Sequence, residues 1–229
     1  MHHYGYCFEN EDENKAHQNR NVTLLQQEIS ENGYTPRMCA QLMQELLSRK
    51  ETIEEGFRFF EECIDTITKQ YGVNDSCTQW MLVASVRCFY MLDKYDDMLL
   101  QAEKITQGYE LNQVAQLALA GVVIAASAPR GNVSAILNYA PMYYNAWNWV
   151  KTHDKEAIPQ KQLDFPKFMT RDYAVQVFQA AATCANAVKE YKLAYAYWEQ
   201  LPWADPAFDG SKYAAAMQET MYVLEKSPK

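Results

Sequence analysis

Apolar side chains recur along this chain three and four residues apart, the spacing that gathers them on one face of an α-helix, and no stretch of five or more alternates as a strand would. Val22, Leu25 and Ile29 mark a first amphipathic helix over about residues 14–31, closed by Asn32-Gly33. Thr35-Pro36 reads as an N-cap followed by proline in the first turn, and Cys39, Leu42, Met43, Leu46 and Leu47 form the buried stripe behind it. A break at Lys50-Glu51 leads to Ile53, Phe57, Phe60, Cys63, Ile64 and Ile67, in a helix that stops at Gly72. The pattern then repeats. Asp75 or Ser76 caps a helix carrying Trp80, Val83, Val86, Phe89 and Tyr90, and beyond Asp93-Lys94-Tyr95 its partner carries Met98, Leu99, Ala102 and Ile105. Gln113 to Ala128 and Asn132 to Thr152, parted by Pro129-Arg130-Gly131, give a third pair; Asp172 to Glu190 and Leu193 to Gln200 give a fourth. A last helix spans about Ser211 to Leu224. Between the third and fourth pairs, Asp154 to Met169 contains Pro159 and Pro166 and no period, and reads as a long loop.

Such short connections make neighbouring helices antiparallel. One hairpin alone cannot bury both of its apolar faces, whereas stacked hairpins cover each other, which is the logic of a solenoid. The expected fold is therefore all-α, a right-handed superhelix of antiparallel helix pairs filling residues 14–229. Leu92-Asp93-Lys94-Tyr95-Asp96-Asp97-Met98, with Ala102 and Ile105, resembles the turn and second helix of a tetratricopeptide repeat. Val188-Lys189-Glu190-Tyr191-Lys192-Leu193-Ala194, with Trp198, Leu201 and Pro206, resembles it too. Met98 and Gly56 stand where such repeats usually have alanine, and Tyr95 and Tyr191 lie 96 residues apart, not a multiple of the roughly 34-residue period, so the repeats are irregular.

Composition narrows the function classes. Glycine and proline number only 8 each in 229 residues, which leaves long regular segments, and a hydrophobic share of 48% is far too high for intrinsic disorder. The formal net charge is −8 and no Lys/Arg cluster occurs, which argues against a nucleic-acid partner. The longest apolar stretch, Leu117 to Ala128, falls short of the about 20 residues a membrane span requires. Met1-His2-His3-Tyr4-Gly5-Tyr6 lacks the basic and apolar regions of a signal peptide, so a reducing, cytoplasmic setting is expected. The six cysteines, Cys7, Cys39, Cys63, Cys77, Cys88 and Cys184, form no Cys-x-x-Cys and sit mostly among apolar helical neighbours, as buried thiols do.

A second resemblance concerns the opening residues. His3-Tyr4-Gly5-Tyr6, an acidic spacer, and Asn19-Arg20-Asn21 leading into Leu24-Leu25-Gln26-Gln27-Glu28-Ile29 are similar to the junction in bacterial family 2 glycosyltransferases that carry a helical-repeat tail. The resemblance is close over about the first 35 residues and extends beyond them only as repeat architecture. It implies that residues 1–13 are a junction with an upstream nucleotide-sugar domain and that the chain is the carboxy-terminal part of a longer enzyme. It also places His3 where that family has a histidine near its catalytic metal; without the family's carboxylates His3 makes no competent site, because a hard cation needs several oxygen ligands.

No catalytic constellation stands out. Asp93, Asp96 and Asp97 at a helix start suggest either a divalent-ion site or acidic residues complementing a helix N-terminus. Glu54-Glu55 and Glu61-Glu62 read as a solvated face, and His17 and His153 have no neighbours at metal-ligand spacing, so no metal and no cofactor are expected. The candidate working surface is Tyr139, Tyr143, Tyr144, Trp147 and Trp149, an aromatic run with Pro141 and Asn145 inside a helix. At helical spacing Tyr139, Tyr143 and Trp147 form one stripe while Tyr144 and Trp149 fall elsewhere, so the run divides between core packing and a face contacting a partner or a sugar. Trp203 and Phe208 divide in the same way. The expected function is a non-catalytic module that binds an acceptor protein or peptide, or pairs subunits into a homo-oligomer, within a family 2 glycosyltransferase. A free-standing tetratricopeptide-like adaptor remains the alternative, with a metal-dependent helical enzyme built on Asp93, Asp96 and Asp97 behind it.

Overall fold

The computed structural model describes residues 11–153, 171–201 and 214–226. Among them every regular element is helical: α1 (Glu11–Asn32), α2 (Pro36–Leu47), α3 (Ile53–Tyr71), α4 (Ser76–Met91), α5 (Tyr95–Gly108), α6 (Gln113–Ser127), α7 (Val133–Thr152), α8 (Arg171–Ala187), α9 (Tyr191–Trp198) and α10 (Ala214–Lys226). Short 3-10 turns occupy Lys50–Thr52 and Ala128–Arg130. The all-α expectation is met. The first helix begins at Glu11, inside the segment read as a junction, while His3, the loop 154–169, Trp203 and Phe208 lie outside the described residues.

Local chemistry sets the helix starts. The Thr35 hydroxyl accepts from Met38 N at 3.4 Å, with Pro36 at the first position, where a missing N–H costs nothing. Asp75 Oδ1 accepts from Cys77 N and Thr78 N at 2.9 and 3.0 Å, and the Asn112 and Asn132 carboxamides cap α6 and α7 by accepting from Ala115 N and Ala135 N, each at 3.0 Å.

Three hairpin turns close with one geometry. Asp93, Gly131 and Lys189 each take a positive φ, of 56°, 62° and 65°. Their N–H groups donate to Tyr90 O, Ala128 O and Asn186 O, and the next N–H in each turn, of Lys94, Asn132 and Glu190, donates to Phe89 O, Ser127 O and Ala185 O. This paired bonding is the Schellman ending, in which one left-handed residue satisfies the last carbonyls of a helix. Glycine takes that conformation without strain at 131, whereas Asp93 and Lys189 adopt it at a small steric cost.

Each helix packs on the next in the chain, and α2, α4, α6 and α8 also pack on one another in succession. Gly56 lets α3 close onto α2: a Cβ there would sit 3.2 Å from Leu46 Cβ. At the centre lies α6, which touches α4, α5, α7 and α8 and is buried almost all round, as an evenly apolar helix must be. The stretch too short for a membrane span is thus the middle of the core, and no described helix is long and apolar enough to cross a membrane.

Candidate functional site

The aromatic run on α7 separates into two sets. Tyr139, Tyr143 and Trp147 are buried, with Tyr143 wholly enclosed, so these three pack mainly into the core. Tyr143 and Trp147 lie near-parallel at 6.5 Å, and Phe178 of α8 meets them edge-on at 5.5 and 6.2 Å. Tyr144 is half-buried and joins the same cluster against Phe178 and Tyr197. Burial raises the phenol pKa of Tyr143, and that of Tyr197 to about 12, because a phenolate in this setting would lose its water. Of the five residues read as a contact face, Trp149 and Tyr139 border open hollows; Trp149 is half-buried, and one face of its indole stacks on His153 at 4.0 Å.

That hollow, of about 700 Å³, lies between the end of α5, the start of α6 and the last turns of α7. Its walls are Asn74, Thr106, Tyr109, Glu110, Leu111, Asn112, Gln113, Val114, Gln116, Met142 and Trp149. A second hollow of about 650 Å³ adjoins it along α5 and α7, sharing Thr106 and Met142 and adding Leu99, Glu103, Gln107, Asn132, Ser134, Ala135, Asn138 and Tyr139. Together they make a groove rich in carboxamides, with two carboxylates and no Lys, Arg or His among the described residues of either wall. Thr106 and Tyr139 both line the second hollow, and burial raises the Tyr139 phenol pKa.

Beneath the groove a buried glutamine fixes two loops. Gln79 Nε2 donates to Val73 O and to Glu110 O, both at 2.9 Å, and its Oε1 accepts from Asn112 N at 3.0 Å. The side chain is fully buried and its three bonds hold the walls that carry Asn74, Glu110 and Asn112. Sequence reading missed Gln79, which follows Asp75-Ser76-Cys77-Thr78 and reads as one more polar residue of a helix start. One wall group is left unmatched: Gln113 Oε1 is shielded from water and has no hydrogen-bond donor.

The other sequence candidates are placed elsewhere. Asp93 pairs with Arg130, whose guanidinium also lies over the Tyr95 ring at 4.7 Å, and Asp96 and Asp97 are exposed in the first turn of α5. Glu54 pairs with Lys94 at 2.7 Å, and the Lys94 ammonium holds its carboxyl below the usual range. These two ion pairs each join the ends of successive hairpins. Among the described residues no group of three His, Cys, Asp or Glu side chains is placed to hold a metal ion. Cys39 of α2 and Cys63 of α3 are buried, the Cys63 thiol donates to Phe60 O at 3.6 Å, and the interaction of the two thiols lowers the pKa of the first and raises that of the second.

No family model matches this chain, and no curated protein or solved structure matches it either.

Proposed function

We propose that this chain is a non-catalytic recognition module, a right-handed stack of antiparallel, tetratricopeptide-like helix pairs whose working surface is the groove between α5 and α7. The observation that carries the reading is the make-up of that groove: its walls present mainly carboxamides, hydroxyls and aromatic rings, groups that bind and orient. Its two carboxylates, Glu103 and Glu110, stand in different hollows with no histidine, cysteine or lysine beside them among the described wall residues. The shared turn geometry at Asp93, Gly131 and Lys189 supports the repeat character, as does the packing of every second helix from α2 to α8. On this reading the groove engages an acceptor or a second subunit, in a cytoplasmic setting.

The similarity of the opening residues to the junction of family 2 glycosyltransferases supports service within such an enzyme; a free-standing adaptor is the second reading. An open reading frame that continues upstream of Met1 into a nucleotide-sugar domain favours the first, and a start codon at Met1 with no such neighbour favours the second. The groove itself is tested by Asn138→Trp, an exposed position on its rim. The purified chain is expected to retain a partner from extracts of its host, or to show a subunit equilibrium by light scattering, and the substitution to abolish that association without changing the thermal melt. Association indifferent both to Asn138→Trp and to Ser134→Trp would remove the groove from consideration.

A further inference from the structure

We propose that the groove between α5 and α7 binds an uncharged oligosaccharide, with Trp149 as the platform for one sugar ring and Asn74, Asn112 and Gln113 as partners for its hydroxyls. The assignment rests on the reading of this groove as the working surface and names the chemistry of its occupant.

Charge comes first. Among the described residues neither wall carries a Lys, Arg or His, and Glu103 and Glu110 add negative charge, so a phosphate, a nucleotide or an acidic sugar would find no cationic side chain to offset the two carboxylates. Hydrogen-bonding capacity comes second. A carboxamide both donates and accepts, and so does a sugar hydroxyl. Asn112 spends its Oδ1 on Ala115 N and keeps its NH₂ group, while Gln116 spends its Nε2 on Leu111 O at 2.6 Å and keeps its carbonyl. Gln113 lines the hollow and its Oε1 has no donor, so a turn of the side chain toward the hollow would offer a sugar hydroxyl an unspent acceptor.

Shape comes third. Trp149 has one ring face on His153 and borders the hollow, and the C–H face of a pyranose suits the electron-rich face of an indole. About 700 Å³ lies within the range of sites for small ligands, and the adjoining hollow provides room for further units. Asn74, Asn112, Gln113 and Gln116 all border the one hollow. An extended peptide offers one N–H and one C=O per residue, spaced about 3.3 Å apart along a line. Four carboxamides around one chamber match a ring that bears several hydroxyls more closely than they match that line.

The test uses the purified chain with cellobiose, maltotriose, lactose, mannobiose and N,N′-diacetylchitobiose, a glucuronate-containing disaccharide, and a library of neutral peptides, read by saturation-transfer NMR and calorimetry. At least one neutral glycan is expected to bind saturably, and the glucuronate to bind at least about tenfold more weakly. Trp149→Ala and Gln113→Leu should each weaken the neutral glycan about tenfold, and Asn74→Ala, at an exposed position that leaves folding untouched, about threefold. Absence of saturable binding by all five neutral glycans overturns the assignment, as does binding indifferent to Trp149→Ala and Asn74→Ala, or capture of peptides in their place. If Asn138→Trp still abolishes partner association while no glycan binds, the recognition reading stands and the glycan falls. Should a glycan bind in this groove while partner association ignores Asn138→Trp, the protein-recognition reading falls alone.

Discussion

The two flanks of α7 meet their neighbours in opposite ways. Toward α8 and α9 the helix presents Tyr143 and Trp147, which interlock with Phe178 and leave no space. Toward α5 it presents Asn138, Met142 and Trp149, which stand over hollows whose far walls are polar. Stability is concentrated on the first flank, where rings exchange water for one another. The second flank stays open, and the hydrogen bonds of Gln79 fix the loops that border it. A helix of this kind divides its labour by face, so that a ligand-sized space is tolerated because the opposite side is densely packed.

The contrast can be broken most severely at Tyr143. Tyr143→Ala empties the centre of the ring cluster and is expected to cost about 3–5 kcal/mol in urea unfolding, by lost burial and the cavity left behind. A loss under about 1 kcal/mol would mean that the packed flank is not what holds α7 in place. Gln79→Ala strikes the open flank from below. It strands Val73 O, Glu110 O and Asn112 N and should cost about 2–3 kcal/mol, with faster hydrogen exchange at the Asn112 amide; unchanged exchange there would show that the loops are held by other means.

Tyr197→Phe sharpens the account of the packed flank. The Tyr197 hydroxyl is buried without a hydrogen-bond partner, so its removal should raise stability by about 1 kcal/mol. The same change alters the alkaline limb of the stability curve. The unfolded phenol gives up its proton near pH 10 and the folded one near 12, so the folded state holds more protons in between and stability falls as pH rises through that window. Urea midpoints from pH 9 to 12 should fall less steeply for Tyr197→Phe; equal slopes would show that this hydroxyl is not shielded. Smallest of all is Asn138→Ala on the rim of the groove. It should leave stability within about 0.5 kcal/mol of the parent, and a larger loss would make this wall part of the structural core.

Much of the scaffold was legible along the chain. Thr35 caps α2 as expected, and Asp75, one of the two candidates at its turn, caps α4, because a cap depends on residues three apart. The stripe of Tyr139, Tyr143 and Trp147 parted from Tyr144 and Trp149 as the helical period requires, although the run as a whole was read as one candidate surface. The turn at Gly131 announced itself through its glycine. The matching turns at Asp93 and Lys189 did not, since nothing about an aspartate or a lysine marks a positive φ. Gln79 and Gln113 were equally silent: one became a clamp for two loops and the other an unmatched acceptor only after distant segments met around them.

The sequence by itself determined that this chain is built of helices, where most of them start, and which flank of each is apolar, because those properties are settled by neighbours three and four residues away. Only the tertiary structure decided what each flank faces. Tyr143 reaches Phe178, and Gln79 reaches Asn112, across 35 and 33 residues of chain. Helical periodicity is blind to such distances, so whether an aromatic or a carboxamide ends in a packed core or along an open groove depends on which helices come to lie side by side.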